Sequence, residues 1–89
     1  MMRKIWSSRA WDEYIFWQSE DKKTLQRINK LLKDIESNGC AKGIGKPEAL
    51  MYESEGWYSR RIDDYNRLVY RMPDDATIEI AQCKGHYDS

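Results

Sequence analysis

Glu48, Arg67, His86 and Tyr87 are the residues of this chain whose chemistry fits together. A carboxylate takes a proton from a hydroxyl, an imidazolium gives one to a departing oxygen, and a guanidinium neutralises charge that builds on phosphorus. A base, an acid and an electrostatic clamp suffice for RNA to be cut by its own 2′-hydroxyl, without a metal. His86 is the one histidine in the chain, and histidine alone changes charge near neutral pH when unperturbed. Each residue by itself also fits a blander description. A lone His near the last residues is commonly a surface group, and a Glu beside Pro47 is commonly a solvated loop residue.

Whatever positions these groups must include the stretch from Trp57 to Tyr70. Tyr58–Ile62 and Arg67–Arg71 are rich in aromatic and β-branched residues, and Asp63-Asp64-Tyr65-Asn66 between them carries turn formers. The spacing predicts a hairpin. Alternation puts Leu68, Tyr70 and Met72 on one face and Arg67, Val69 and Arg71 on the other. A guanidinium-bearing sheet face suits paired donation to a phosphate, and equally suits solvated ion pairs with Asp63 and Asp64.

Around the hairpin the chain reads in order. Arg3–Trp6 is a short first strand, and Ser7 or Ser8 caps a helix whose face is Trp11, Tyr14, Ile15 and Gln18. Ser19 or Asp21 starts a second helix with an apolar stripe of Leu25, Ile28, Leu31, Leu32 and Ile35, ended by Asn38-Gly39. Its lysines solvate the outer side, and a ribosomal-RNA contact there stays open. Cys40–Lys46 is glycine-broken but lacks the closing Gly-Lys-Ser/Thr of a phosphate loop, so no nucleotide site is expected. Pro47–Tyr52 leads into a strand, Glu53–Gly56 is an acidic turn, Pro73-Asp74-Asp75 is a second turn, and Thr77–Cys83 is a last strand. Strands that follow a helical pair through short turns form a meander: an N-terminal strand and two-helix hairpin packed on one face of an antiparallel sheet, in the α+β class.

Size and composition set the outer bounds. The 89 residues make one domain, 1–89, and 40% hydrophobic with 34% charged residues is the balance of a folded globular protein. No apolar run has membrane-spanning length and no secretory signal is read, so a cytoplasmic protein without a membrane partner is expected. Cys40 and Cys83 lack metal-ligand spacing and read as free thiols. Fifteen basic and fifteen acidic residues cancel, so any surface that attracts nucleic acid must be local. Neither metal nor other cofactor is called for.

Read together, Ile5-Trp6-Ser7, Trp11-Asp12-Glu13-Tyr14, Trp17-Gln18, Gly43-Ile44-Gly45-Lys46-Pro47-Glu48, Ser59-Arg60-Arg61-Ile62, Asn66-Arg67-Leu68-Val69-Tyr70 and His86-Tyr87 form a signature over almost the whole chain. It resembles the YoeB/Txe toxins, small ribosome-dependent endoribonucleases with the RelE-like fold. The resemblance implies that Glu48 is the general base, His86 the general acid, Arg67 the clamp on the transition state and Tyr87 a substrate-orienting tyrosine. Arg61 then falls on a second arginine near the phosphate, and Lys46 and Lys84 are the further RNA- and phosphate-binding residues. It also implies the A site of a translating 70S ribosome with its messenger, a YefM/Phd-type antitoxin, a homodimer, and contact with operator DNA only through the antitoxin complex. Three departures from the family pattern bear on strength: Met51 in place of a lysine, the acidic Glu53 and Glu55, and Asp88-Ser89 beyond the His-Tyr pair. A catalytically weakened toxin acting mainly as an antitoxin-binding co-repressor is the alternative from another class.

Overall fold

The computed structural model describes residues 2–50 and 55–86. Strand β1 (Arg3–Trp6) is followed by helices α1 (Ser8–Glu20) and α2 (Lys22–Asn38), then β2 (Glu48–Ala49), β3 (Tyr58–Arg61), β4 (Arg67–Asp74) and β5 (Thr77–Gln82). Both helices start where the sequence offers a cap. Ser7 Oγ accepts from the Ala10 amide, and Asp21 Oδ1 accepts from the amides of Lys23 and Thr24. Helix α2 stops at Gly39, whose φ of 82° is open to glycine and strained for other residues.

The five strands lie in the order β1-β5-β4-β3-β2. Strands β2 to β5 form the expected antiparallel meander, but β1 joins β5 in parallel, Arg3 opposite Thr77 and Trp6 opposite Ile80. The sheet is therefore mixed. The chain leaves β1 through two helices on one face, and returns at the far edge to build the meander back toward β1. Its last strand then runs in the same direction as its first. A second difference concerns Pro73, read from sequence as part of a turn. Strand β4 runs through it to Asp74, and the register slips between Arg71 and Asp74. A residue without an amide donor is tolerated at such an irregularity.

The core lies between the helices and one sheet face. Ile28, Leu31, Leu32 and Ile35 of α2 meet Ile62, Leu68, Tyr70, Ile78 and Ile80, the partition that alternation along β4 requires. Helix α1 turns a different face inward from the one its spacing suggests. Ala10 and Trp17 are buried, with Glu13 and Tyr14 partly so, whereas Trp11 and Ile15 are 47% and 46% exposed. Polar fit decides this. Trp17 Nε1 donates to the Cys83 carbonyl at 2.9 Å, and Glu13 Oε1 accepts from the Cys83 amide at 2.8 Å. The buried indole and the backbone just beyond β5 thus satisfy each other. Burial pushes the Cys83 thiol up to about 12, so it stays neutral; both cysteines are free thiols.

A buried arginine shapes the loop between α2 and β2. Arg60 alternates with Arg61 in β3 and so points to the helix side, fully buried. Its five donors all find acceptors: Nε on Tyr70 Oη, Nη1 on Asp34 Oδ2 and the Ile44 carbonyl, and Nη2 on the carbonyls of Gly39 and Lys42. A guanidinium has five N–H groups in a fixed fork, and here none is left over. The glycine-broken loop thus turns carbonyls toward a cation, the reverse of a phosphate loop, which turns amides toward an anion. Tyr70 donates onward to the Cys40 carbonyl at 2.6 Å, and its burial lifts the phenol to about 12 against the opposing pull of Arg60.

The hydrogen bond from Arg60 holds the Asp34 carboxyl below the usual carboxylate range, with desolvation acting in the opposite sense. A carboxyl whose folded pKa is depressed contributes stability that is present above its unfolded pKa of about 3.9 and is lost as pH falls through the folded value. Denaturant midpoints are therefore expected to hold near neutral pH and to drop in acid. Asp34→Asn is expected to be less stable at pH 7 and to show a shallower acid loss. An acid limb as steep as that of the parent protein would remove Asp34 from this account.

Candidate active site

The sheet face away from the helices gathers polar residues by alternation. Glu48 lies opposite Ser59, Ser59 opposite Val69, and Arg61 opposite Arg67. A bulge completes the set. Tyr70 pairs with Ile80 but Val69 pairs with Gln82, so the extra residue Ala81 rolls Gln82 onto the polar face and redirects the chain after it. Residues 83–86 then cross the end of the hairpin.

That crossing is tied down from both sides. Glu13 and Trp17 hold Cys83, Arg9 Nη2 donates to the Lys84 carbonyl at 3.3 Å, and the Gly85 amide donates to Asn66 Oδ1 at 2.8 Å. The Arg67 amide donates back to the Gly85 carbonyl at 2.9 Å. The hairpin turn is itself built on Asp63, whose Oδ1 accepts from the amides of Tyr65 and Asn66 and whose Oδ2 accepts from Asn66 Nδ2. Burial would raise the Asp63 carboxyl, but these hydrogen bonds outweigh it and hold it low. The carboxylate is thus spent on the turn, while Arg67 Nη1 donates to the carbonyls of Asp63 and Asn66 at 2.9 and 3.2 Å.

Lys46, Glu48, Leu50, Ser59, Arg61, Arg67 and His86 line one cavity of about 210 Å³. Three cationic side chains and one carboxylate meet there with the imidazole. Lys46 reaches it from a left-handed backbone conformation, φ 51°, uncommon outside glycine. The preceding Gly45 is pressed against β3: its carbonyl accepts from the Arg61 amide at 2.7 Å, and a Cβ there would lie 2.8 Å from Leu31 Cδ2. His86 Nδ1 lies 3.2 Å from the Tyr65 carbonyl, and its ring stacks on that of Tyr65 with centroids 5.6 Å apart. Such an arrangement is suited to a group with negative charge around phosphorus, a hydroxyl to be deprotonated and an oxygen to be protonated.

Of the residues singled out in the sequence, the cavity unites Glu48, Arg67, His86, Arg61 and Lys46. Lys84 does not line it; its ammonium sits over the Phe16 ring at 4.9 Å. Tyr87, Met51, Glu53 and the Asp88-Ser89 pair lie outside the described residues. Glu55, read as a repulsive charge, is engaged by Arg71 Nη1 at 3.0 Å, and Arg71 also reaches Glu79 at 3.2 Å and stacks over Trp57. Sequence reasoning did not single out Tyr65 or Asn66, although their place in the turn directly before Arg67 was the available signal. Among the described residues, no three His, Cys, Asp or Glu side chains gather as metal ligands, and no helix is long and apolar enough to cross a membrane.

Known proteins share this chain's sequence and shape. Residues 6–87 match the model of the YoeB-like toxins of bacterial type II toxin–antitoxin systems. Toxin YoeB of Escherichia coli K12 is 44% identical over 86 residues, which covers 97% of this chain and all of that one. The YoeB dimer structure from Staphylococcus aureus superposes with a TM-score of 0.91 at 48% identity, covering 97% of this chain and 98% of that chain. The heterotetrameric YoeB–YefM toxin–antitoxin complex from the same organism gives 0.89 at 47%, covering 98% and 99%. With two helices on a five-stranded mixed sheet and an identity this high over nearly its full length, the chain belongs to the YoeB-like toxins of bacterial type II toxin–antitoxin systems.

Proposed function

We propose that this toxin is a ribosome-dependent messenger-RNA endonuclease that needs no metal ion for its proton transfers. The observation that carries the reading is the convergence of Glu48, Arg61, Arg67 and His86 on one polar cavity. Glu48 takes the proton of the 2′-hydroxyl, and the 2′-oxygen attacks the adjacent phosphorus. Arg67, helped by Arg61 and Lys46, neutralises the charge that develops on the phosphoryl oxygens. The bond to the 5′-oxygen breaks as that oxygen takes a proton from His86. The first product is a 2′,3′-cyclic phosphate, which water opens to a 3′-phosphate. Messenger in the A site of a 70S ribosome is the substrate, which places the work in the cytoplasm.

The relatives supply the proposed partners. A YefM-type antitoxin covers the cationic cavity with a segment that is disordered when free and orders on binding, its acidic and apolar residues meeting Arg61, Arg67 and nearby aromatic rings. The toxin pairs with a second copy, as the S. aureus relative does, and reaches operator DNA only through the antitoxin.

The test uses a messenger on intact programmed ribosomes in which hydrogen replaces the 2′-hydroxyl of the scissile nucleotide. The expected result is no cut in the deoxy messenger, and a cyclic or 3′-phosphate end in the unmodified control. Cleavage of the deoxy messenger, or control products with 3′-hydroxyl and 5′-phosphate ends, would mean an activated water and would overturn the Glu48–His86 assignment.

A further inference from the structure

We infer that Tyr65 is a positioning residue that holds the His86 imidazole for proton donation, by a carbonyl on Nδ1 and a stacked ring on its face. The inference rests on the proposed reaction, in which His86 is the proton donor. Tyr65 is 64% exposed, so core packing does not fix its ring. Its place is set instead by the turn, since Asp63 Oδ1 accepts from the Tyr65 amide at 2.9 Å. The turn is joined to the His86 segment on both sides, through Asn66 Oδ1 to the Gly85 amide and the Arg67 amide to the Gly85 carbonyl. Turn and segment thus form one unit, and the phenol ring lies against the imidazole at an interplanar angle of 29°.

The carbonyl contact selects a nitrogen. A carbonyl oxygen only accepts, so the 3.2 Å contact to Nδ1 is a hydrogen bond when Nδ1 carries the proton. Nε2 is then the nitrogen this arrangement assigns to the proposed proton transfer. In the imidazolium both nitrogens are protonated; when Nε2–H passes to the 5′-oxygen, the neutral ring that remains is the Nδ1–H tautomer. The bond to Tyr65 therefore survives the step, and no tautomer exchange is required. The stacked ring limits rotation of the imidazole and so helps to hold Nε2 in one direction. The charged side chains that share the cavity with His86, namely Lys46, Glu48, Arg61 and Arg67, belong to substrate and transition state. The turn contributes the orientation described, through the Tyr65 carbonyl and ring.

Substitution separates the two contacts, because any residue at position 65 keeps the carbonyl and only an aromatic one keeps the stack. On programmed ribosomes Tyr65→Ala is expected to lower kcat on the order of tenfold to a hundredfold, the scale of a misplaced catalytic group, with KM and melting temperature unchanged. Tyr65→Phe is expected to restore kcat. The single histidine gives a second readout in the toxin alone. Its ring protons carry an upfield ring-current shift and its nitrogens the Nδ1–H pattern in the parent and Tyr65→Phe, and the ring-current shift is lost in Tyr65→Ala. A raised KM at unchanged kcat would instead make Tyr65 a platform for a messenger base. A Phe variant as slow as the Ala variant would assign the effect to the hydroxyl. Either result, or full activity of Tyr65→Ala, overturns the inference. If the parent protein cuts no messenger, the proposed reaction fails by itself, and absence of the histidine ring-current shift would separately refute the contact.

Discussion

Arg67→Ala is expected to slow messenger cleavage by about a hundredfold or more, the usual loss when one preorganised donor to a developing charge is removed. The fold is expected to survive. Arg67 side-chain bonds go to two carbonyls of an exposed turn, and the backbone bond from its amide to Gly85 is untouched by the substitution. Surface changes of this kind move stability by about 0.5 kcal/mol or less. Rates on programmed ribosomes and a melting curve together decide the matter. A well-folded Arg67→Ala protein with near-parental cleavage would remove the clamp from the mechanism.

The second large effect lies on the other side of the same sheet. Arg60→Ala is expected to cost about 3–5 kcal/mol, as when one partner of a buried ion pair is removed. That is a large part of the roughly 5–15 kcal/mol that holds a domain together. The truncation removes at once a donor from Tyr70 Oη, the counter-charge of Asp34, and the donors to the carbonyls of Gly39, Lys42 and Ile44. Lysine is no substitute, because one ammonium offers three donors where five acceptors surround the guanidinium, three of them loop carbonyls. Arg61→Ala, one residue along and exposed, is the control: little change in the urea midpoint, with the loss confined to cleavage. Equal urea midpoints for the two variants would contradict the division of labour between these neighbours.

These neighbours also show what a sequence reveals and what it hides. Period-two alternation correctly divided β4 into Leu68, Tyr70 and Met72 against Arg67, Val69 and Arg71. The same rule applied to β3 puts Arg60 with Tyr58 and Ile62 on the core side. An arginine between two apolar neighbours looks like surface, however, until five acceptors are found around it. Helix α1 failed for another reason. Trp11, Tyr14, Ile15 and Gln18 recur at helical spacing as well as Ala10, Glu13, Tyr14 and Trp17 do. The choice between the two faces was made by hydrogen bonds to Cys83, some seventy residues away. Glu48, Arg67 and His86 were named from chemistry and family pattern together, and Arg61 from the family pattern alone. The cavity that unites them depends on a bulge at Ala81 and a turn built on Asp63, neither of which leaves a periodic trace. The parallel β1–β5 pairing was hidden likewise, because strand direction across a helical crossover is a property of the whole topology.

That pairing has a consequence for the order in which the molecule comes into being. Arg3 finds Thr77 across a separation of 74 residues, so during vectorial synthesis β1 waits without its neighbour while the helical hairpin and the meander emerge. Closing so long a loop carries an entropic cost that local contacts do not. The segment bearing His86 follows directly on β5 and is gripped by Glu13 and Trp17 of α1. The last strand to be made therefore completes the sheet edge and delivers the histidine in one event. Under the proposed reaction, a nascent chain that has not passed β5 carries Glu48 and Arg67 without His86, the proposed proton donor, and so lacks one of the two proton-transfer groups until synthesis is nearly over.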